Sequence, residues 1–67
     1  MTALCFDISV RDAVAYVASQ EAGWENAVPT VVLAAGFDAD DECTTVTTQQ
    51  GLWSVWRKPT GEIYGEI

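Results

Sequence analysis

The sequence predicts an α+β domain in which one helix covers one face of a mainly antiparallel sheet of four to five strands. Two observations lead to this class. An apolar stripe with helical spacing occurs once, over Val10 to Glu21. Short alternating or β-branched segments, separated by turn residues, make up most of the remaining chain. The predicted order is β-α-β-β-β-β, and 67 residues suffice for a single compact domain over residues 1–67.

The first two predicted elements are a strand and a helix. Residues 2–8 alternate between apolar and other side chains, which predicts a strand. Ser9 stands in the N-cap position of the helix, and Asp12 complements the helix N-terminus. Gly23 is a predicted helix stop, and we expect the carboxylate of Glu21 to be solvated. The residues expected to pack on the sheet are Val10, Ala13, Val14, Val17 and Ala18.

Two further strands are predicted on either side of an acidic turn. Residues 30–35 form an apolar run with a β-branched start, which favours a central strand ended by Gly36. Residues 43–48 are rich in Thr and predict a strand with a polar outer face.

The last two strands form the predicted C-terminal hairpin. Residues 52–58 alternate, and the segment Lys58-Pro59-Thr60-Gly61 has the composition of a type I turn before a returning strand over 63–67. Because one helix covers one sheet face, we expect either Trp53 or Trp56 to be partly exposed. That tryptophan either covers the open face and packs on Tyr64, or it is a binding anchor. A third alternative is that the open face is buried in a homodimer.

The acidic turn consists of Asp38, Asp40, Asp41 and Glu42. It lacks the ligand spacing, central Gly and flanking helices of an EF-hand, so we predict no metal there. Its charges are either solvated turn residues or a surface that docks against Lys and Arg of a partner.

Charge and composition exclude several classes of function. Ten acids against three Lys and Arg give a net charge of -7, which disfavours direct binding to nucleic acid or to an anionic membrane. No signal peptide or membrane-spanning stretch is predicted, so we expect a cytoplasmic protein in which Cys5 and Cys43 are reduced and buried. The sequence contains no His and no phosphate-binding loop, and we therefore predict no enzymatic activity and no cofactor.

In outline the chain resembles the small phage-encoded anti-CRISPR proteins. The shared features are small size, strong acidity, and a short helix beginning Ser-Val-Arg-Asp beside a meander that contains Gly-Leu-Trp-Ser-Val-Trp-Arg-Lys. Several members of that group place acidic side chains where nucleic acid would sit on a Cas protein or surveillance complex. The resemblance implies that the acidic turn takes the place of phosphates, with Glu62 and Glu66 as additions.

The function predicted from the sequence is a small acidic binding protein that inhibits a macromolecular partner. It would occlude a basic nucleic-acid-binding surface through the acidic turn, Glu62 and Glu66, while Trp53 or Trp56 fills an apolar pocket. An antitoxin or immunity protein that neutralises a basic toxin is a variant of this hypothesis. The alternative is a structural or adaptor domain that self-assembles or binds a partner through its sheet edge or exposed Trp face.

Overall fold

In the computed structural model, which describes residues 8–40 and 42–67, one helix packs on a four-stranded antiparallel sheet. The strands are hydrogen-bonded in chain order, as a meander. The α+β class and the antiparallel meander are therefore confirmed. The predicted first strand over residues 2–8 falls outside the described residues except for Ile8, which is buried before the helix and is not in a strand. The elements are α1 (Val10–Ala22), β1 (Val32–Asp38), β2 (Cys43–Thr48), β3 (Gly51–Arg57) and β4 (Ile63–Glu66).

The ends of α1 follow the predicted capping signals. The Oγ of Ser9 accepts a hydrogen bond from the backbone N–H of Asp12 at 3.1 Å, which confirms Ser9 as the N-cap. At the other end, the N–H of Gly23 donates to the carbonyl of Gln20 at 3.1 Å, and the helix ends at Ala22. The helix therefore ends before Gly23, the predicted stop, and its last residue, Ala22, lies one position beyond the expected end at Glu21.

The buried stripe of α1 differs from the predicted one at both ends. Ala13 and Val17 are fully buried, but Val10 is exposed and Glu21 is buried. Val10 is the first helical residue, and side chains in a helix tilt toward its N-terminus, so Val10 lies beyond the part of the helix that covers the sheet. The core is formed by Ile8, Ala13, Val17, Val46, Trp53 and Val55.

Strand β1 is displaced from its predicted position. It begins two residues later than expected and continues through Gly36, which pairs with Thr45, to Asp38. Gly36 does not end the strand, because the residues after it continue the ladder along β2. The strand was also predicted to be central in the sheet. Among the described residues, β1 pairs with β2 alone and lies at the edge of the sheet.

The remaining strands follow the predicted boundaries closely. Strand β2 is as predicted, and β3 begins one residue early because Gly51, at φ +149°, pairs with Thr48 across a two-residue turn. In the next turn the N–H of Gly61 donates to the carbonyl of Lys58 at 2.8 Å, which confirms the predicted β-turn. No helix among the residues that the structure describes is long and apolar enough to cross a bilayer.

The sheet has one face under α1 and one face that no helix of the described residues covers, which we call the open face. Trp53 and Val55 of β3 share one face, as the alternation predicted, and the structure shows that this is the buried face on the helix side. Their neighbours Leu52, Ser54 and Trp56 point to the open face, and register places Tyr64 opposite Trp56.

Candidate functional site

The last turn of α1 carries a buried carboxylate that the sequence analysis placed in solvent. Glu21 is 1% exposed, and its two oxygens accept three hydrogen bonds. Oε1 accepts from the hydroxyl of Thr30 at 2.7 Å, while Oε2 accepts from the hydroxyl of Thr48 at 2.6 Å and from the indole N–H of Trp53 at 2.9 Å. The prediction of a solvated Glu21 was therefore wrong.

The donors around Glu21 favour its charged form. Burial by itself raises the pKa of this carboxyl, but the hydrogen bonds from Thr48, Thr30 and Trp53 favour the anion and leave the pKa below 4.5. These donors are neutral, so the anion is stabilised by dipoles rather than by a cation. We assign this network to the stability of the fold, since it connects α1 to β2, β3 and the segment before β1.

Trp53 is part of this interior network. It is 5% exposed, its N–H is used by Glu21, and its ring stacks on Trp24 with 5.9 Å between centroids. Trp24, in the loop after α1, is the exposed member of this pair. In this conformation Trp53 offers no surface to a partner.

Trp56 is the tryptophan of β3 that reaches the surface. It is half-buried on the open face, and its ring lies 4.8 Å from that of Tyr64, as expected for a tryptophan packing on this tyrosine. The Nζ of Lys58 lies 5.1 Å from the centre of the Tyr64 ring. The Tyr64 hydroxyl donates to Glu66 at 3.0 Å, and this bond, with the negative charge of Glu66, raises the pKa of Tyr64. We call Trp56 and Tyr64 the aromatic pair.

The acidic turn connects β1 to β2. The carboxylate of Asp38 accepts the backbone N–H of Asp40 at 2.9 Å, which holds the first part of the turn in shape. Asp40 and Glu42 are exposed, and Glu42 has φ 53°, a left-handed conformation that is uncommon for residues other than glycine. Asp41 lies outside the described residues. Within the part of the chain that the structure describes, no ion pair joins Asp40 or Glu42 to a Lys or Arg.

Strand register brings the acidic turn and the aromatic pair to the same end of the open face. Asp38 of β1 pairs with Cys43 of β2. The next residue of β2, Thr44, pairs with Val55 of β3, so Trp56, which follows Val55, lies in the same row as Asp38 and Cys43. Trp56 therefore lies two strands away from Asp38, about 10 Å at the usual strand spacing. The carboxylates of the turn and the aromatic pair therefore lie at the same end of the open face, with the buried Cys43 of β2 between them.

The other two predicted acids are placed differently. Glu62, in the β3–β4 turn, lies at the same end of the sheet but forms an ion pair with Lys58 at 3.9 Å. Glu66 is on the open face opposite Ser54, farther along β4 from the acidic turn, and accepts the Tyr64 hydroxyl. Arg57 pairs with Asp12 at 3.8 Å on the helix side.

No group of three or more His, Cys, Asp or Glu that could hold a metal ion occurs in residues 8–40 and 42–67. Cys43 is buried, as expected, whereas Cys5 falls outside the residues that the structure describes.

The chain was compared with known proteins by sequence and by fold. No protein-family model, no curated protein and no solved structure matches it.

Proposed function

We propose that this protein is a small, non-enzymatic binding protein whose acidic turn and aromatic pair dock together on a basic surface of a macromolecular partner. The preferred partner is a nucleic-acid-binding protein of the bacterial cytoplasm, and the preferred case is a phage inhibitor that occludes a Cas protein or surveillance complex. Binding of this kind would exclude nucleic acid from the surface that the inhibitor covers.

The observation that carries the proposal is the placement of exposed carboxylates at the same end of the sheet as the half-buried aromatic pair. Asp40 and Glu42 are exposed and have no cationic neighbour among the described residues, so a partner's Lys or Arg would meet an uncompensated charge. Trp56 and Tyr64 lie at the same end, and Trp and Tyr are the residue types that most often anchor protein interfaces. Charge would supply fast association, and the ring surface would supply affinity.

The proposal gives the predicted site residues different roles. Within the proposal, Asp38, Asp40, Asp41 and Glu42 form the charged contact and Trp56 is the anchor. Glu62 is partly neutralised by Lys58, so we give it a secondary role. Glu66 and Trp53 are assigned to the folded structure, because the first holds Tyr64 in place and the second is buried.

A capture experiment with matched charge variants tests this proposal. Wild type and two double variants serve as baits in bacterial lysate: Asp40→Asn with Glu42→Gln, and Asp12→Asn with Glu25→Gln, whose positions are exposed and lie outside the acidic turn and the aromatic pair. Both variants lose two negative charges, but only the first alters the acidic turn. We expect wild type and the second variant to retain the same nucleic-acid-binding protein, which moderate salt releases, and the first variant to lose it.

Two charged contacts of about 1 kcal/mol each correspond to roughly thirtyfold in Kd. If both variants lose the captured protein equally, capture depends on the net charge of the chain and not on the acidic turn. Equal capture by all three baits would contradict a role for the acidic turn.

A further inference from the structure

We infer that strand β1 pairs antiparallel with β1 of a second copy of this chain, joining two four-stranded sheets into one of eight strands. Within residues 8–40 and 42–67, β1 has β2 as its one strand neighbour, and no described strand pairs with its outer edge. The apolar side chains along it are exposed, with Leu33 at 62% and Phe37 at 52%. This interface shares Asp38 with the proposed acidic and aromatic patch and otherwise uses different residues.

The composition of β1 permits strand addition. Natural edge strands are usually short, or carry charges or proline that block pairing with another chain. Residues 27–37 contain no Asp, Glu, Lys or Arg, and Pro29 precedes the strand. The opposite edge, β4, has four residues and carries Glu66. Of the two edges in the described sheet, β1 is therefore the longer one, and its one charge is at its last residue, Asp38.

A register centred on Gly36 avoids both steric clashes and contacts between like charges. The ladder is irregular between Val32 and Ala34, which leaves Ala34–Asp38 as its regular part, centred on Gly36. Antiparallel pairing about Gly36 places Phe37 opposite Ala35 of the second copy, so a large side chain meets a small one on the helix side of both sheets.

The same register separates the acidic turns of the two copies. Asp38 would lie opposite Ala34, and the two Asp38 side chains would be about 14 Å apart along the strands, at about 3.4 Å per residue. That distance exceeds the screening length of about 8 Å at physiological salt. The net charge of -7 on each copy therefore does not concentrate at the interface. The acidic turns point to opposite ends of the joined sheet.

Sedimentation of the full chain over a concentration series tests the dimer. We expect a reversible monomer–dimer equilibrium for wild type and a dimer at least about tenfold weaker for Phe37→Lys, which removes the ring and brings two lysines diagonally across the paired strands. Leu52→Lys is the matched control, because Leu52 is equally exposed at 56% but lies on β3. Thermal melting of both variants checks that they are folded.

Cross-linking tests the register independently. A Cβ on Gly36 meets no atom within 4 Å in the single chain, so Gly36→Cys fits, and the two-fold axis places its two copies side by side. In a Cys5→Ser background, mild oxidation should link Gly36→Cys chains in pairs and leave Ala39→Cys chains largely unlinked.

Three results would overturn the inference. A wild-type chain that stays monomeric throughout the series would show that the edge is closed or unused. Equal dimerisation of Phe37→Lys and Leu52→Lys would place the contact elsewhere. Equal cross-linking of Gly36→Cys and Ala39→Cys would refute the register.

Discussion

Replacing Glu21 by Ala and by Gln separates two roles of this buried carboxylate, as an acceptor of hydrogen bonds and as a charge. Glu21→Ala removes the acceptor for the Thr48 hydroxyl and the Trp53 indole, both of which are buried. A buried donor without a partner costs about 1–3 kcal/mol, so the two together cost about 2–6 kcal/mol. A domain of this size has a total stability of about 3–10 kcal/mol. We therefore expect Glu21→Ala to lose about 2–6 kcal/mol, a large share of the total stability.

In Glu21→Gln the amide oxygen can still accept the hydrogen bonds of Thr48 and Trp53. The amide N–H₂ then faces Thr30, whose hydroxyl can rotate to accept a hydrogen bond from it. The charge is lost, and hydrogen bonds to a neutral acceptor are weaker, so we expect a loss of about 1 kcal/mol at neutral pH. The charge also determines the pH dependence. Since the pKa of Glu21 in the folded state lies below its ordinary value of 4.5, its contribution to stability is complete above pH 4.5 and decreases as the pH falls through the folded-state pKa.

Urea unfolding followed by far-ultraviolet circular dichroism measures both effects, because this signal does not depend on the environment of Trp53. Wild type should lose more stability than Glu21→Gln between neutral pH and about pH 3. Glu25→Gln, at an exposed position in the following loop, is the control and should behave as wild type. A Glu21→Ala variant that loses less than about 1 kcal/mol, or an identical loss of stability on acidification in wild type and Glu21→Gln, would refute the role given to the network.

Three smaller predictions concern backbone strain, packing and titration. Glu42→Gly should raise the stability by up to about 1 kcal/mol, because the residue has φ 53°; an unchanged or lower melting temperature would contradict this. Gly65→Ala should lower the stability by about 1–3 kcal/mol, because the added Cβ would lie 2.7 Å from Cε2 of Tyr16. Denaturant unfolding measures this loss, and an unchanged stability would contradict the prediction. Glu66→Gln should return the raised pKa of Tyr64 toward 10.0, measured by ultraviolet absorbance; an unshifted titration would mean that the hydroxyl bond is absent in solution.

Local signals in the sequence accounted for much of the fold. The Ser9 cap, the Gly23 stop and the Lys58–Gly61 turn depend on residues within four positions of one another, and the structure bears them out. The alternation along β3 correctly separated the buried Trp53 from the half-buried Trp56. These features were predictable because the residues that determine them are neighbours in the chain.

The errors concern features that depend on distant partners. Glu21 lies eight residues after Ala13 on the buried stripe, so its helical position indicated the interior, but its partners Thr48 and Trp53 follow 27 and 32 residues later. An acid at the end of a helix is usually solvated unless such donors are present. The extension of β1 past Gly36 likewise depends on its ladder with β2. The acids and aromatics of the proposed patch were identified individually, while their shared end of the sheet followed only from strand register.

A competition experiment tests the central claim, that the acidic turn displaces nucleic acid from a basic surface. Labelled nucleic acid is bound to the captured partner, and each form of the protein is titrated in. Wild type and Asp12→Asn with Glu25→Gln should release the label at the same concentration, and Asp40→Asn with Glu42→Gln should need roughly thirtyfold more. A stable ternary complex that keeps the label, or equal release by all three forms, would contradict the proposed occlusion.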